Sequence, residues 1–180
     1  WGVSKIGASA YAKRIRAKTS ATIKVAVVDS GVDRSHPFIK SRVLSGYDFI
    51  DGDSNPYDYH GHGTHVSGTI VDCTPGLNVP VRVLNAKGEG SSYVVGLGIE
   101  YAVNHGAKVI NLSLGGGCSS YKDDAINYAV RKGVTVVVAS GNESTNINRA
   151  DKGYPTCPAH MKNVICVGAV NSSNRKADFS

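Results

Sequence analysis

Apolar residues along this chain come in short runs separated by segments of helical period, an alternation that predicts a parallel sheet with crossover helices. Ile23 to Val28 is a β-branched run that stops at Asp29-Ser30-Gly31, and it reads as a buried strand. Val79 to Leu84, Lys108 to Leu112, Val134 to Ala139 and Val164 to Val170 read as further strands, and Arg42 to Phe49 as an edge strand. Two helices are predicted between them, with apolar stripes at Val95/Ile99/Ala102/Val103 and Ala125/Ile126/Ala129/Val130. Each closes on a basic residue followed by Gly, His105-Gly106 and Lys132-Gly133, which is a C-terminal stop signal. Ser120, with Asp123 three residues on, is the expected cap of the second helix. No linker or low-complexity tract interrupts the pattern, so residues 1–180 read as one domain.

The predicted strands end in Asp29-Ser30-Gly31, Ser113-Leu114-Gly115-Gly116 and Ser140-Gly141-Asn142. Open α/β sheets bind ligands outside the carboxyl ends of their strands, so a polar, Gly-rich cleft is expected on that edge.

Composition adjusts this picture in three places. The chain has 180 residues, 41% of them hydrophobic, enough for a sizeable core. Its formal charge of +6 is concentrated early, at Lys5, Lys13, Arg14, Arg16, Lys18 and Lys24. No nucleic-acid motif and no interleaved aromatics accompany that stretch, so it reads as a solvated basic surface and not as a nucleic-acid site. No apolar run is long enough to span a bilayer and no charged-then-apolar leader opens the chain, which reads as a mature or trimmed form with no membrane partner. Among the four cysteines, Cys73 and Cys166 sit in apolar or small-residue contexts and read as buried thiols. Cys118 and Cys157 sit in Ser/Gly/Pro-rich loops, which favours a disulfide and an oxidising, extracellular setting.

Three segments carry candidate chemistry. Asp29 directly follows an apolar strand, so its carboxylate should be buried and must be paired or hydrogen-bonded; a turn cap is the alternative reading. Asp58-Tyr59-His60-Gly61-His62-Gly63-Thr64-His65 precedes a small-residue helix. A His at a helix start feels the positive dipole end, while a nearby carboxylate fixes its tautomer and stabilises its cation, the properties of a general base. A metal cluster of His60, His62 and His65 is the alternative, although the HExxH spacing of a zinc-protease helix is missing. Third, Asn142 in Ser140-Gly141-Asn142-Glu143 places a side-chain amide at the cleft edge, as an oxyanion donor or as ordinary turn chemistry.

The combination is more specific than any of its parts. Val25-Ala26-Val27-Val28-Asp29-Ser30-Gly31-Val32-Asp33, Ser35-His36-Pro37, and His62-Gly63-Thr64-His65-Val66-Ser67-Gly68-Thr69 resemble the subtilisin-like serine proteases (subtilases, peptidase family S8). So do Val109 to Gly116 and Val137 to Asn142, all in the family's order, and the likeness runs from Gly2-Val3 to the chain end. The resemblance implies a three-layer α/β sandwich around a central, mainly parallel sheet with crossover helices. It implies Asp29 as the orienting acid, His62 as the general base and Asn142 as the oxyanion-hole donor. Gly88-Glu89-Gly90 and Ser113-Leu114-Gly115 would pair with an extended peptide or protein substrate by strand addition, and Ala139-Ser140-Gly141 would line the P1 pocket.

Two departures from the family pattern stand out. The family's nucleophile lies in a Gly-Thr-Ser-Met-Ala segment, and neither that segment nor a Gly-x-Ser-x-Gly elbow occurs here. The chain is therefore expected to be the N-terminal part of the catalytic domain, truncated at its C-terminus, inactive alone and prone to pair with its missing part or with itself. A non-catalytic peptide-binding module is the rival reading, whereas a dinucleotide-binding domain fails for want of a GxGxxG after the first strand. The family's common high-affinity calcium site also looks absent: Phe38 follows Pro37, and Val71-Asp72-Cys73 runs straight into Thr74-Pro75-Gly76. No cofactor is expected to be required, and calcium is left only a weaker site elsewhere.

Overall fold

The computed structural model describes residues 1–16, 22–147 and 157–180. Two short N-terminal helices, α1 (Gly2–Lys5) and α2 (Ala8–Arg16), lead into strand β1 (Lys24–Asp29). Then come β2 (Tyr47–Asp48), α3 (His62–Cys73), β3 (Leu77–Arg82), α4 (Ser92–Asn104), β4 (Val109–Leu112), α5 (Ser120–Arg131), β5 (Thr135–Ala139) and β6 (Ile165–Val167). The strands form one sheet in the order β2-β3-β1-β4-β5-β6, and every pairing is parallel.

Side-chain alternation on β1 sets the layers. Ala26 and Val28 belong to a large core with Val95, Ile99 and Ala102 of α4 and Ala125, Ile126 and Ala129 of α5. A separate cluster of Val32, Ile39 and Val71 packs α3 and the segment after β1 together. Helices therefore cover both faces, and β1, flanked by β3 and β4, is buried from Val25 to Asp29, as expected of a central parallel strand. The strand order reverses at β1 and β4: the chain leaves β1 toward one edge and leaves β4 toward the other. The crevice beyond their carboxyl ends is where such sheets bind ligands.

Some predicted elements shift. The expected edge strand over 42–49 shrinks to two residues, preceded by a 3-10 turn at Lys40–Arg42. The cause is Pro80. Leu44 donates to the carbonyl of Asn78 and Phe49 to that of Arg82, so the even-numbered residues of β3 face β2. Pro80 faces the same way with no N–H to give, and the ladder breaks around it. The strand expected over 164–170 keeps only Ile165–Val167, exposed at both ends on the sheet edge. Helix α5 is capped one residue earlier than expected, by Ser119, without a side-chain cap bond.

The early basic residues that are described behave as a solvated surface, with Lys5, Lys13, Arg14 and Lys24 exposed; Lys18 and the Arg16 side chain lie outside the described residues. Cys118 and Cys157 form the disulfide. Cys73 and Cys166 are only half-buried, a correction to the buried-thiol reading: Cys73 closes α3 where the helix surfaces, and Cys166 lies on the edge strand.

Candidate active site

Asp29 ends β1 with no exposed surface. Its Oδ1 accepts from the Ser30 backbone N–H at 2.7 Å and meets His62 Nδ1 at 2.7 Å. Since a carboxylate oxygen accepts, Nδ1 carries the hydrogen, and the lone pair of the neutral ring sits on Nε2. The other oxygen of Asp29, Oδ2, is buried without a hydrogen-bond partner among the described residues. The His62 side chain is 40% exposed and lines the cleft. Its pKa is raised above the ordinary imidazole value, chiefly by the hydrogen bond to Asp29. Burial pulls the other way, and the charges of Asp29 and Asp58 reinforce the rise.

The loop that delivers His62 is organised by Asp58, to which the sequence alone assigns no role. Asp58 is buried; its Oδ1 accepts from Ser30 Oγ at 2.8 Å and from the N–H groups of His60 and Gly61. Its Oδ2 accepts from the N–H and the hydroxyl of Thr64. Burial pushes the Asp58 carboxyl up, but bonds from Thr64, Gly61 and Ser30 more than offset it and hold it below the usual carboxylate value. Gly61 precedes α3 with φ +98°, a left-handed turn that aims the loop's donors back at Asp58. Ser30 closes the circuit, because its hydroxyl accepts from the Gly63 N–H at 2.9 Å while donating to Asp58. The chain ends flanking the Asp29–His62 pair are thus cross-linked through Ser30 and Asp58. A carboxylate at the loop's first residue was the available signal; burial was what the sequence hid.

A cleft of about 490 Å³ runs from His60 and His62 past Gly88, Glu89 and Gly90 to Ser113, Leu114 and Gly115. Ser92, Val95 and Lys122 line it as well. The two segments expected to pair with a peptide therefore border the same space as His62. Ala139, Ser140, Gly141 and Asn142 stand at the next strand end along the sheet, outside the walls of this cleft. Asn142 is exposed, and its backbone N–H is tied to the Glu143 carboxylate at 2.8 Å. Ser140 borders a separate hollow with Ser180, and their hydroxyls lie 3.3 Å apart.

The ring nitrogens of His60, His62 and His65 do not converge as ligands. Among the described residues, the one group of three that does is Cys118, Cys157 and His160, whose two sulfurs are joined in the disulfide. What the cleft assembles is a carboxylate-oriented imidazole at the switch point of a parallel sheet, a class of site in which Nε2 can take up a proton and the carboxylate can hold the resulting charge.

Comparison with known proteins gives that class a family. The subtilase family model matches residues 20–180. Subtilisin E of Bacillus subtilis (strain 168) is 39% identical over 100% of this chain and 49% of its own length. Thermitase of Thermoactinomyces vulgaris is 40% identical over 87% of this chain and 58% of its own. A crystal structure of a cold adapted subtilisin-like serine proteinase superposes with TM-score 0.78 at 33% identity, over 87% of this chain and 58% of that one. The chain belongs to the subtilase family, and it spans about half the length of the first of these relatives.

Proposed function

We propose that this chain carries the acid, base and oxyanion donor of a subtilisin-type serine endopeptidase, with the nucleophilic serine supplied from outside these 180 residues. The observation that carries the reading is the 2.7 Å bond between His62 Nδ1 and buried Asp29, on a ring that lines the same cleft as Gly88 to Gly90 and Ser113 to Gly115. A serine hydroxyl placed at Nε2 would lose its proton to His62 while its oxygen attacks a peptide carbonyl. Asp29 would hold the resulting imidazolium, and Asn142 would donate its amide to the oxyanion. Gly88 to Gly90 and Ser113 to Gly115 would pair with the extended backbone of the substrate. Proton and oxyanion each have a protein group assigned, so the step needs no cofactor. Calcium is left, at most, a weak structural site.

Two serine hydroxyls near the carboxyl edge of the sheet already accept hydrogen bonds. Ser113 Oγ accepts from Asn111, and Ser180 Oγ accepts from the Ala169 N–H. With no Gly-Thr-Ser-Met-Ala segment among them, the 180 residues alone should be catalytically silent. The Cys118–Cys157 disulfide favours an oxidising compartment, so secretion or display at the cell surface is part of the proposal. A purely peptide-binding role would leave the ordered Asp29–His62 pair without a purpose.

A fluorophosphonate probe on the full-length protein tests this. Labelling of one serine, abolished by His62→Ala, is the expected result, and a full-length protein that takes no label overturns it. Asn142→Ala should then lower kcat about 100- to 1000-fold, the usual effect of removing one oxyanion-hole donor in a subtilisin.

A further inference from the structure

Lys122 is the anomaly of the cleft. It is the third residue of α5, so its charge sits in the first helical turn, against the positive end of the dipole. Yet it is only 2% exposed. Its ammonium donates one hydrogen bond, to the Gly117 carbonyl at 2.9 Å, and among the described residues no carboxylate lies within ion-pair distance. Burial lowers its pKa, and the charge of the adjacent Asp123 only partly restores it. A leucine or methionine would fill this place at lower cost, since lysines are almost never fully buried unpaired. Residues that break stability rules without compensation are expected at functional positions.

Its surroundings say what would compensate it. Lys122 lines the same cleft as His62, and Ser92 Oγ donates to the same Gly117 carbonyl at 3.3 Å. An ammonium has three hydrogens, so two remain after the bond to Gly117. The other charges bordering the cleft, Lys87 and Glu89, are both exposed, so solvent screens them and they roughly cancel. The uncompensated charge of the cleft is therefore positive, and it is the buried one.

We propose that Lys122 is a specificity residue that selects extended peptides carrying a carboxylate side chain at one fixed position along the cleft. The inference rests on the peptide-cleft reading above and adds the chemistry of the preferred substrate. On binding, an acidic side chain accepts from the two free ammonium hydrogens and from the Ser92 hydroxyl, which turns away from Gly117. A neutral isostere cannot supply the charge that this buried ammonium lacks.

The test uses the full-length protein and fluorescein-labelled hexapeptides in which a single Glu or Gln moves through the positions, with binding read by fluorescence anisotropy. A charge-assisted pair predicts that Glu binds about tenfold more tightly than Gln at one position. That ratio falls to about one in Lys122→Met, and likewise in Lys122→Leu, which keeps the buried volume. Equal binding of Glu and Gln peptides at every position of the wild-type protein overturns the proposal without recourse to a variant. So does a Glu preference that survives either substitution. Hydrolysis of the same peptides is scored separately: Glu-selective binding that depends on Lys122, with no cleavage, would sustain this inference while sinking the protease reading.

Discussion

Replacing Gly63 by Ala puts one methyl group where α3 meets the end of β1, and the structure fixes how far it must move them apart. A Cβ built on Gly63 stands 2.2 Å from the Gly31 carbonyl oxygen and 3.1 Å from the Gly31 nitrogen, both backbone atoms that no rotamer change can clear. Real Cβ contacts do not fall under 3.0 Å, so the two segments must separate by about 0.8 Å. These are the segments that carry His62 and Asp29. Directed along the Nδ1–Oδ1 line, that displacement stretches the 2.7 Å bond to about 3.5 Å, beyond useful hydrogen bonding. The Gly63 N–H to Ser30 bond weakens with it. Overpacking costs about 1–3 kcal/mol. Losing the His62–Asp29 bond adds roughly 1 kcal/mol once discounted for a ring 40% exposed. Helix propensity favours Ala over Gly by about 1 kcal/mol. The net expectation is a loss of about 1–3 kcal/mol, against a gain of about 1 kcal/mol if the site were open. Urea unfolding gives the sign, and NMR titration of the His62 ring gives the mechanism. Its pKa should fall, because the largest influence raising it is the Asp29 bond and the burial that remains lowers it. A variant at least as stable as the parent, with an unchanged His62 titration, would refute the close-approach argument.

Three further outcomes are expected. Arg82→Met should cost about 3–5 kcal/mol in thermal unfolding, because it strands Asp48, 1% exposed, whose Oδ2 takes a 2.6 Å bond from Arg82; adding Asp48→Asn should recover part of the loss, and no recovery would argue against the pair. Serine at Cys118 and Cys157 together removes a cross-link spanning 39 residues, for which the loop-entropy relation gives about 4 kcal/mol; a loss under about 1 kcal/mol by denaturant unfolding would show that the loop is held by other contacts. His62 has a raised folded pKa, so its contribution to stability is complete below the unfolded value of about 6.5 and is lost as pH rises through the folded pKa; Asp29→Asn should flatten that part of the stability–pH curve, and an unchanged slope would count against the coupling.

How much of this was legible beforehand varies with the kind of interaction. The sheet was readable because a parallel strand buried on both faces leaves a continuous apolar run, as Val25 to Val28 does, and the helix stripes were readable from their period. The edges were not. Strand β2 shortens because Pro80 turns its missing donor toward that edge, a fact of register that needs the neighbouring strand to be known. The Asp29–His62 pair was visible through motif order, whereas loop composition only favoured a disulfide at Cys118 and Cys157 and the structure supplies the pairing.

Asp58 and Lys122 escaped for a common physical reason. Each has a side chain whose partners are largely backbone atoms: Asp58 collects N–H groups from His60, Gly61 and Thr64, and Lys122 donates to the carbonyl of Gly117. Backbone partners leave no signature in residue types, so spacing arguments pass over them. The two then differ in a way that separates scaffold from recognition. Asp58 is surrounded by donors that hold its charge, the state of a finished structural hub. Lys122 is buried with one acceptor among the described residues, at the unfavourable end of its helix, on the wall of the cleft. A buried carboxylate with its donors in place fixes a loop, whereas a buried ammonium with two hydrogens to spare is poised to receive a ligand. On this reasoning, replacing Asp58 should be felt as lost stability and a displaced His62, while replacing Lys122 should be felt first in which peptides the cleft accepts.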